Sequence, residues 1–271
     1  MNTVSKPKGT AAGEARVRWS DYLKQAYPMV KPKAYQVIIF ILGVIVLSIA
    51  AFFVHLHPRP YAFDLQTTQE VQSLPVPRGV NNAFDFVSTI NDVAPSIILL
   101  AAWFLGLLII GFIVRSRGKS AIKWFECAVG LALSVPFAGG INFLYNNLVA
   151  RPRPGSFGEH IHVMTHMPFK SFPSGHTAWD IAFYGFLLYL SFTEPVHKWR
   201  YRWTLIPFQI IAVLIILTIG YSRILEGEHW LTDVLAGYLS GLLWTCLAIF
   251  LYRWIIIAIG IWQRRGQSRA G

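Results

Sequence analysis

Six stretches of about twenty apolar residues recur along this chain, hydrophobic on every side and without a stripe of period 3.6, and each matches the hydrocarbon thickness of a bilayer. They cover residues 34–55, 94–114, 122–149, 176–193, 204–221 and 231–259. The fold expected is therefore all-α: a polytopic membrane protein of six transmembrane helices. It comprises a basic tail over 1–33, a membrane domain over 34–260 and a short C-terminal tail over 261–271. Composition agrees, because 54% hydrophobic and 14% charged residues exclude disorder and an ordinary soluble domain.

The net charge of +11 would suggest nucleic acid in a soluble protein, but its placement points elsewhere. Counted by alternate sides of the expected spans, 18 of the 24 Lys and Arg fall on the side of the two termini. The positive-inside rule then makes both termini cytoplasmic and the longer loops, 56–93 and 150–175, extracytoplasmic. The basic segments lack the Gly/aromatic patterning of an RNA-binding surface, so no nucleic-acid partner is expected. Residues 1–33 lack the apolar core of a secretory signal. Cys127 and Cys246 each lie inside an apolar block, where a disulfide framework is implausible. The stretch from Thr67 to Val93, around Pro75 and Pro77, reads either as an interfacial helix or as a plain connecting loop.

Polar residues at the ends of spans are costly, so function is sought there. Three clusters stand out: Arg151-Pro-Arg-Pro154; Pro173-Ser-Gly-His176; and Ser222-Arg223 followed by His229 and Asp233. Arg153 and Arg223 offer planar forks suited to phosphate oxygens. Ser174 and Gly175 open a helix, where free amides and the dipole favour anions. His229 and Asp233 are four residues apart, so on a helix the carboxylate can hold the imidazole in one tautomer.

In this order and spacing, Arg-Pro, Pro-Ser-Gly-His and Ser-Arg-x5-His-x3-Asp resemble the motifs of the type 2 phosphatidic acid phosphatase (PAP2) superfamily over roughly residues 90–250. The resemblance implies a PAP2/haloperoxidase-like helical bundle with its site on the outer face, and six spans exclude the soluble haloperoxidase architecture. It also implies that His229 is a nucleophile forming a phosphohistidine, that Asp233 orients it and that His176 protonates the leaving group. Arg153, Arg223, Ser174 and Gly175 would hold the phosphate oxygens. No metal and no other cofactor is implied.

The chain departs from the pattern at one position: the family's first-motif lysine falls on Asn146, which carries no charge. Lys170, the only outer-side lysine, is a candidate replacement, or an interfacial lysine near headgroups. Asp180 lies four residues after His176 and is a candidate partner for it, or else bonds to a neighbouring helix. His160, His162 and His166 have a spacing that could gather a metal, but headgroup contacts or plain loop polarity are the preferred account. Glu226 and Glu228 read first as a solvated turn, or else as groups that exclude surplus anions or contact a substrate headgroup.

The activity expected is hydrolysis of a lipid phosphate or diphosphate, of polyprenyl diphosphate or phosphatidic acid type, at the extracytoplasmic face of a bacterial inner membrane. The partners expected are the bilayer and that phosphorylated lipid. Two alternatives stand beside it: transfer of the phosphoryl group to a lipid acceptor, and a degenerate lipid-binding member without catalysis.

Overall fold

The computed structural model describes residues 32–158, 160–164 and 170–270, with side chains described up to residue 255. Eight α-helices are found among them: α1 (Ala34–Leu56), α2 (Ala62–Ser73), α3 (Arg78–Ile90), α4 (Val93–Ser116), α5 (Ile122–Val149), α6 (Gly175–Ser191), α7 (Ile206–Leu225) and α8 (Leu231–Ala270). The chain is all-helical within those bounds. Five segments are long and apolar enough to cross a membrane: α1, α4, α5, α7 with the 3-10 turn before it, and α8 as far as Ile255. The sixth expected span, α6, has 17 residues and is about 25 Å long, at the short end of the crossing range.

Helix α6 is also the most enclosed, packed against α5, α7 and α8. Ala182, Phe183, Phe186 and Leu187 on α6 meet Ala128, Leu131, Val135 and Ala138 of α5 in the larger core. Around it the large apolar side chains of α1, α4 and α7 are exposed, Ile39, Ile98 and Leu217 among them, as a lipid-facing surface requires. Glycine sets the closest contact. A Cβ on Gly237 of α8 would lie 2.8 Å from the Ser174 carbonyl oxygen, and one on Gly241 would lie 2.8 Å from that of Ala178. Four residues apart, they form the small-xxx-small face that lets two helix backbones meet, and they seat the start of α6 against the start of α8.

Residues 67–93 form neither one interfacial helix nor a plain loop. The two prolines interrupt the segment, leaving α2 and α3 on either side of Leu74–Pro77. Both fold back over the bundle: α2 contacts α7 and α8, and α3 contacts α7. Buried Asp64 and Ser88 hold them down by side-chain hydrogen bonds to Thr232 and Glu226, which an apolarity count does not register. Helix α8 also continues to Ala270, through the residues expected to form a C-terminal tail.

Replacing Gly241 by Val inserts side-chain atoms against the α6 backbone and should cost about 1–3 kcal/mol. A thermal unfolding midpoint in detergent lower than wild type is the expected reading, and an unchanged midpoint would show that the α6–α8 contact is not close.

Candidate active site

The chain enters and leaves the helices of the bundle so that the ends at Leu56, Val93, Val149, Gly175, Leu225 and Leu231 meet, and the three motifs lie there together. Behind them is Arg151, fully buried. Its guanidinium donates to Asp64 Oδ2 at 2.8 Å, to Asp233 Oδ1 at 2.6 Å and to Thr232 Oγ1 at 2.7 Å, and lies over the Trp230 ring. Asp64 in turn accepts from the Thr232 amide at 2.9 Å. Of the two arginines in Arg-Pro-Arg-Pro, Arg151 is therefore the structural one and Arg153 the one that faces the site.

His229 is completely enclosed. Its Nδ1 lies 2.8 Å from the Ser171 carbonyl oxygen, which can only accept, so the proton is on Nδ1 and the lone pair on Nε2. Nε2 has no hydrogen-bond partner among the described residues. Asp233, expected to orient this ring, stands 3.8 Å from Nδ1. Its Oδ2 instead accepts from the Trp230 amide at 2.9 Å, capping the start of α8. Orientation of the imidazole thus passes to a backbone carbonyl. Burial first, then the nearby Arg153 charge, push the His229 imidazole down from 6.5 to about 4.

Arg153 donates to the Glu228 carbonyl oxygen at 3.0 Å and lies 3.8 Å from its carboxylate. Arg223 is buried against two acids, with Nη1 2.9 Å from Glu228 Oε2 and Nη2 2.9 Å from both oxygens of Glu226, and it also donates to Ser88. Glu226 and Glu228, read from sequence as a solvated turn or headgroup contacts, are buried at the centre of the cluster. The turn that buries them requires Gly227: its φ is +68°, and a Cβ would collide with the His162 carbonyl oxygen. Burial raises the Glu226 carboxyl above its ordinary range.

His176 takes its carboxylate from an unexpected place. Nε2 is 3.2 Å from Asp92 Oδ1, in the turn before α4, and Nδ1 is 4.0 Å from Glu228 Oε2. The His176 hydrogen bond holds Asp92 below the usual carboxylate range. Asp180, read either as that partner or as a bond to a neighbouring helix, is buried, and neither carboxylate oxygen has a hydrogen-bond partner among the described residues. A spacing of four aligns side chains only where no nearer acceptor exists, and Asp92 is nearer.

The remaining residues frame the loop. Ser174 caps α6, its hydroxyl oxygen accepting from Thr177 Oγ1 at 3.0 Å. Gly175 leaves open space where a Cβ would stand. Asn146, at the family's lysine position, donates to the carbonyls of Lys170 at 2.8 Å and Phe172 at 3.2 Å, so it braces the loop that carries Ser171. Lys170 is exposed. His160 and His162 are exposed too, and His162 is pinned through its backbone to Gln72; His166 lies outside the described residues. Among the described residues His176, Glu228 and His229 each offer one metal-ligand atom within 4.8 Å of the others. Yet Arg223 already neutralises that carboxylate, and a divalent ion would stand against two guanidiniums, so the cluster suits an anion better.

Sequence reasoning missed Asp64, Ser88, Asp92 and Ser171. None belongs to a periodic or spaced motif; a polar residue beside a helix end was the only signal any of them offered.

Residues 127–257 match the PAP2 superfamily. The chain is similar to "Lipid phosphate phosphatase 2" of Arabidopsis thaliana, 32% identical over 134 residues, 42% of this chain and 46% of that one. It is also similar to "Probable diacylglycerol pyrophosphate phosphatase 1" of Schizosaccharomyces pombe, 27% identical over 183 residues, 57% and 62% of the two chains. The chain thus spans less than two thirds of the length of these curated relatives. A crystal structure of a transmembrane PAP2-type phosphatidylglycerolphosphate phosphatase from Bacillus subtilis shares the fold, with a TM-score of 0.59 and 21% identity over 77% of this chain and 93% of that one.

With its pKa lowered to about 4, His229 stays neutral across the ordinary pH range. The unfolded chain binds this proton from pH 6.5 downward and the folded chain only near 4, so stability falls with pH across that window. Histidine-labelled NMR should show one Nδ1–H imidazole that protonates near pH 4 and disappears in His229→Gln. Protonation of that ring near its ordinary value would contradict the buried geometry.

Proposed function

A chain that belongs to the PAP2 superfamily through residues 127–257 is, we propose, a membrane phosphatase that hydrolyses a lipid phosphate or diphosphate through a phosphohistidine at His229. The observation that carries this reading is the buried, unpartnered Nε2 of His229 beside two guanidiniums and a second histidine.

The roles follow from the contacts. The Nε2 lone pair attacks phosphorus in line; the P–O bond to the lipid breaks, and its electron pair leaves on the oxygen. Positive charge then develops on the imidazole, and the Ser171 carbonyl on Nδ1–H and the Asp233 carboxylate at 3.8 Å both stabilise it. Arg153 and Arg223 hold the equatorial oxygens, with the Gly175 amide at the start of α6. His176, its Nε2 held by Asp92, delivers a proton from Nδ1 to the leaving oxygen and afterwards takes one from the water that cleaves the phosphohistidine. Asn146 braces the loop where the family places a lysine, so binding of the transferred group falls to the two arginines.

The position of the site, at the end of the bundle away from the basic segments, supports an extracytoplasmic face with both termini in the cytoplasm, as in a bacterial inner membrane. The substrate class is a lipid carrying a terminal phosphate or diphosphate, of phosphatidic acid or polyprenyl diphosphate type. The name of the Schizosaccharomyces pombe relative supports the diacylglycerol side of that pair.

Detergent-purified protein with EDTA should release inorganic phosphate from one or more of phosphatidic acid, diacylglycerol diphosphate and a polyprenyl diphosphate. His229→Ala should lose at least ~10³-fold of the rate, and Asp92→Asn about 10²-fold, chiefly in kcat. Full activity in His229→Ala would rule out the phosphohistidine. Transfer of phosphate to added lipid without its release would make the chain a phosphotransferase.

A further inference from the structure

Every side chain assigned to substrate phosphate in the preceding section converges on one protein atom. Glu228 Oε2 accepts from Arg223 Nη1 at 2.9 Å, stands 3.8 Å from Arg153 Nη1 and stands 4.0 Å from His176 Nδ1. The carboxylate is buried, 1% exposed, in the turn that leads directly to His229. A tetrahedral anion bound between the two guanidiniums and in line with His229 Nε2 would need that same place.

We propose that the Glu228 carboxylate is an internal anion that occupies the phosphate cradle of the empty site and competes with substrate and product for it. The inference rests on the phosphatase reading and adds a specificity-determining residue to it. The charges facing Glu228 are Arg153 from the loop after α5, His176 from α6, Arg223 from α7 and Glu226 from its own turn; Asp92 acts through His176. The carboxylates of Glu226, Glu228 and Asp92 outnumber the two guanidiniums, so the cradle offers an incoming dianion little net positive charge until Glu228 moves away.

Two consequences follow. The two arginines stay paired, and so desolvated at low cost, when no lipid is present. After the phosphohistidine is hydrolysed, return of Glu228 to Arg223 displaces the phosphate dianion, so product release is built into the turn that carries the nucleophile. Glu226, which pairs with the other nitrogen of Arg223 and with Ser222 and Ser88, holds the guanidinium in place during that exchange.

The test uses the full chain in detergent and inorganic sulfate, a tetrahedral dianion at all working pH values, with binding measured calorimetrically at pH 8. Wild type should bind sulfate weakly. Glu228→Gln, which keeps the shape and a hydrogen-bond acceptor for Arg223 but removes the charge, should bind it at least about tenfold more tightly. Its hydrolysis should become correspondingly more sensitive to inhibition by inorganic phosphate. Glu228→Asp, which keeps the charge but draws it back by one methylene, should fall between the two, and serves if the Gln variant does not fold. Equal or weaker sulfate binding in these variants would overturn the proposal and make Glu228 a brace for the arginines. Sulfate binding in neither wild type nor variants would overturn it together with the anion-site reading. Tighter binding in Glu228→Gln, with no lipid hydrolysed by wild type, would uphold the proposal and remove the phosphatase reading alone.

Discussion

Arg151 is held without solvent between Asp64 and Asp233, and through these two carboxylates it joins three parts of the chain that are remote in sequence. Taking one guanidinium and two carboxylates out of water is expensive, and the arrangement persists because nearly every donor and acceptor is met, Thr232 and the Pro58 carbonyl included. Removing one partner from such a pair typically costs about 3–5 kcal/mol. The cluster therefore determines where α2 lies, where α8 begins and, two residues before α8, where His229 points.

On that base the site is built from helix ends and not from helix faces. The Ser171 carbonyl accepts from His229 Nδ1 because Asn146 and the Arg151 carbonyl hold the 170–173 segment in place. His176 reaches Asp92 because Gly237 and Gly241 bring α6 and α8 close enough to set the start of α6 at the right depth. Free amides, unpaired carbonyls and titratable side chains all collect where helices end, and an anion site at the end of a membrane bundle makes use of all three. The short length of α6 fits the same pattern, since Ser174 caps its first turn and its remainder packs in the core.

How much of this was legible beforehand can be traced residue by residue. His229, His176, Arg153 and Arg223 stand in motifs whose spacing is local, so their convergence could be expected from the resemblance. Asp180 shows the limit of spacing as a guide: it repeats the interval between His229 and Asp233, yet its carboxylate has no hydrogen-bond partner among the described residues, and His176 pairs with Asp92, 84 positions away. Even the expected pair His229 and Asp233 is separated at 3.8 Å, because a backbone carbonyl competes better for Nδ1. Neither the division of 67–93 at its prolines nor its collapse onto the site was among the readings of that segment.

Sequence alone determined that the chain is a helical membrane protein, because apolar length is a property of consecutive residues and the bilayer tests nothing else. It also determined which residue types are available for chemistry at the helix ends. Tertiary structure alone decided the remote partners: Asp92 for His176 and Ser171 for His229. A hydrogen bond in a buried site goes to whichever acceptor the packing brings nearest, and nearness across tens of residues is not written in any local pattern.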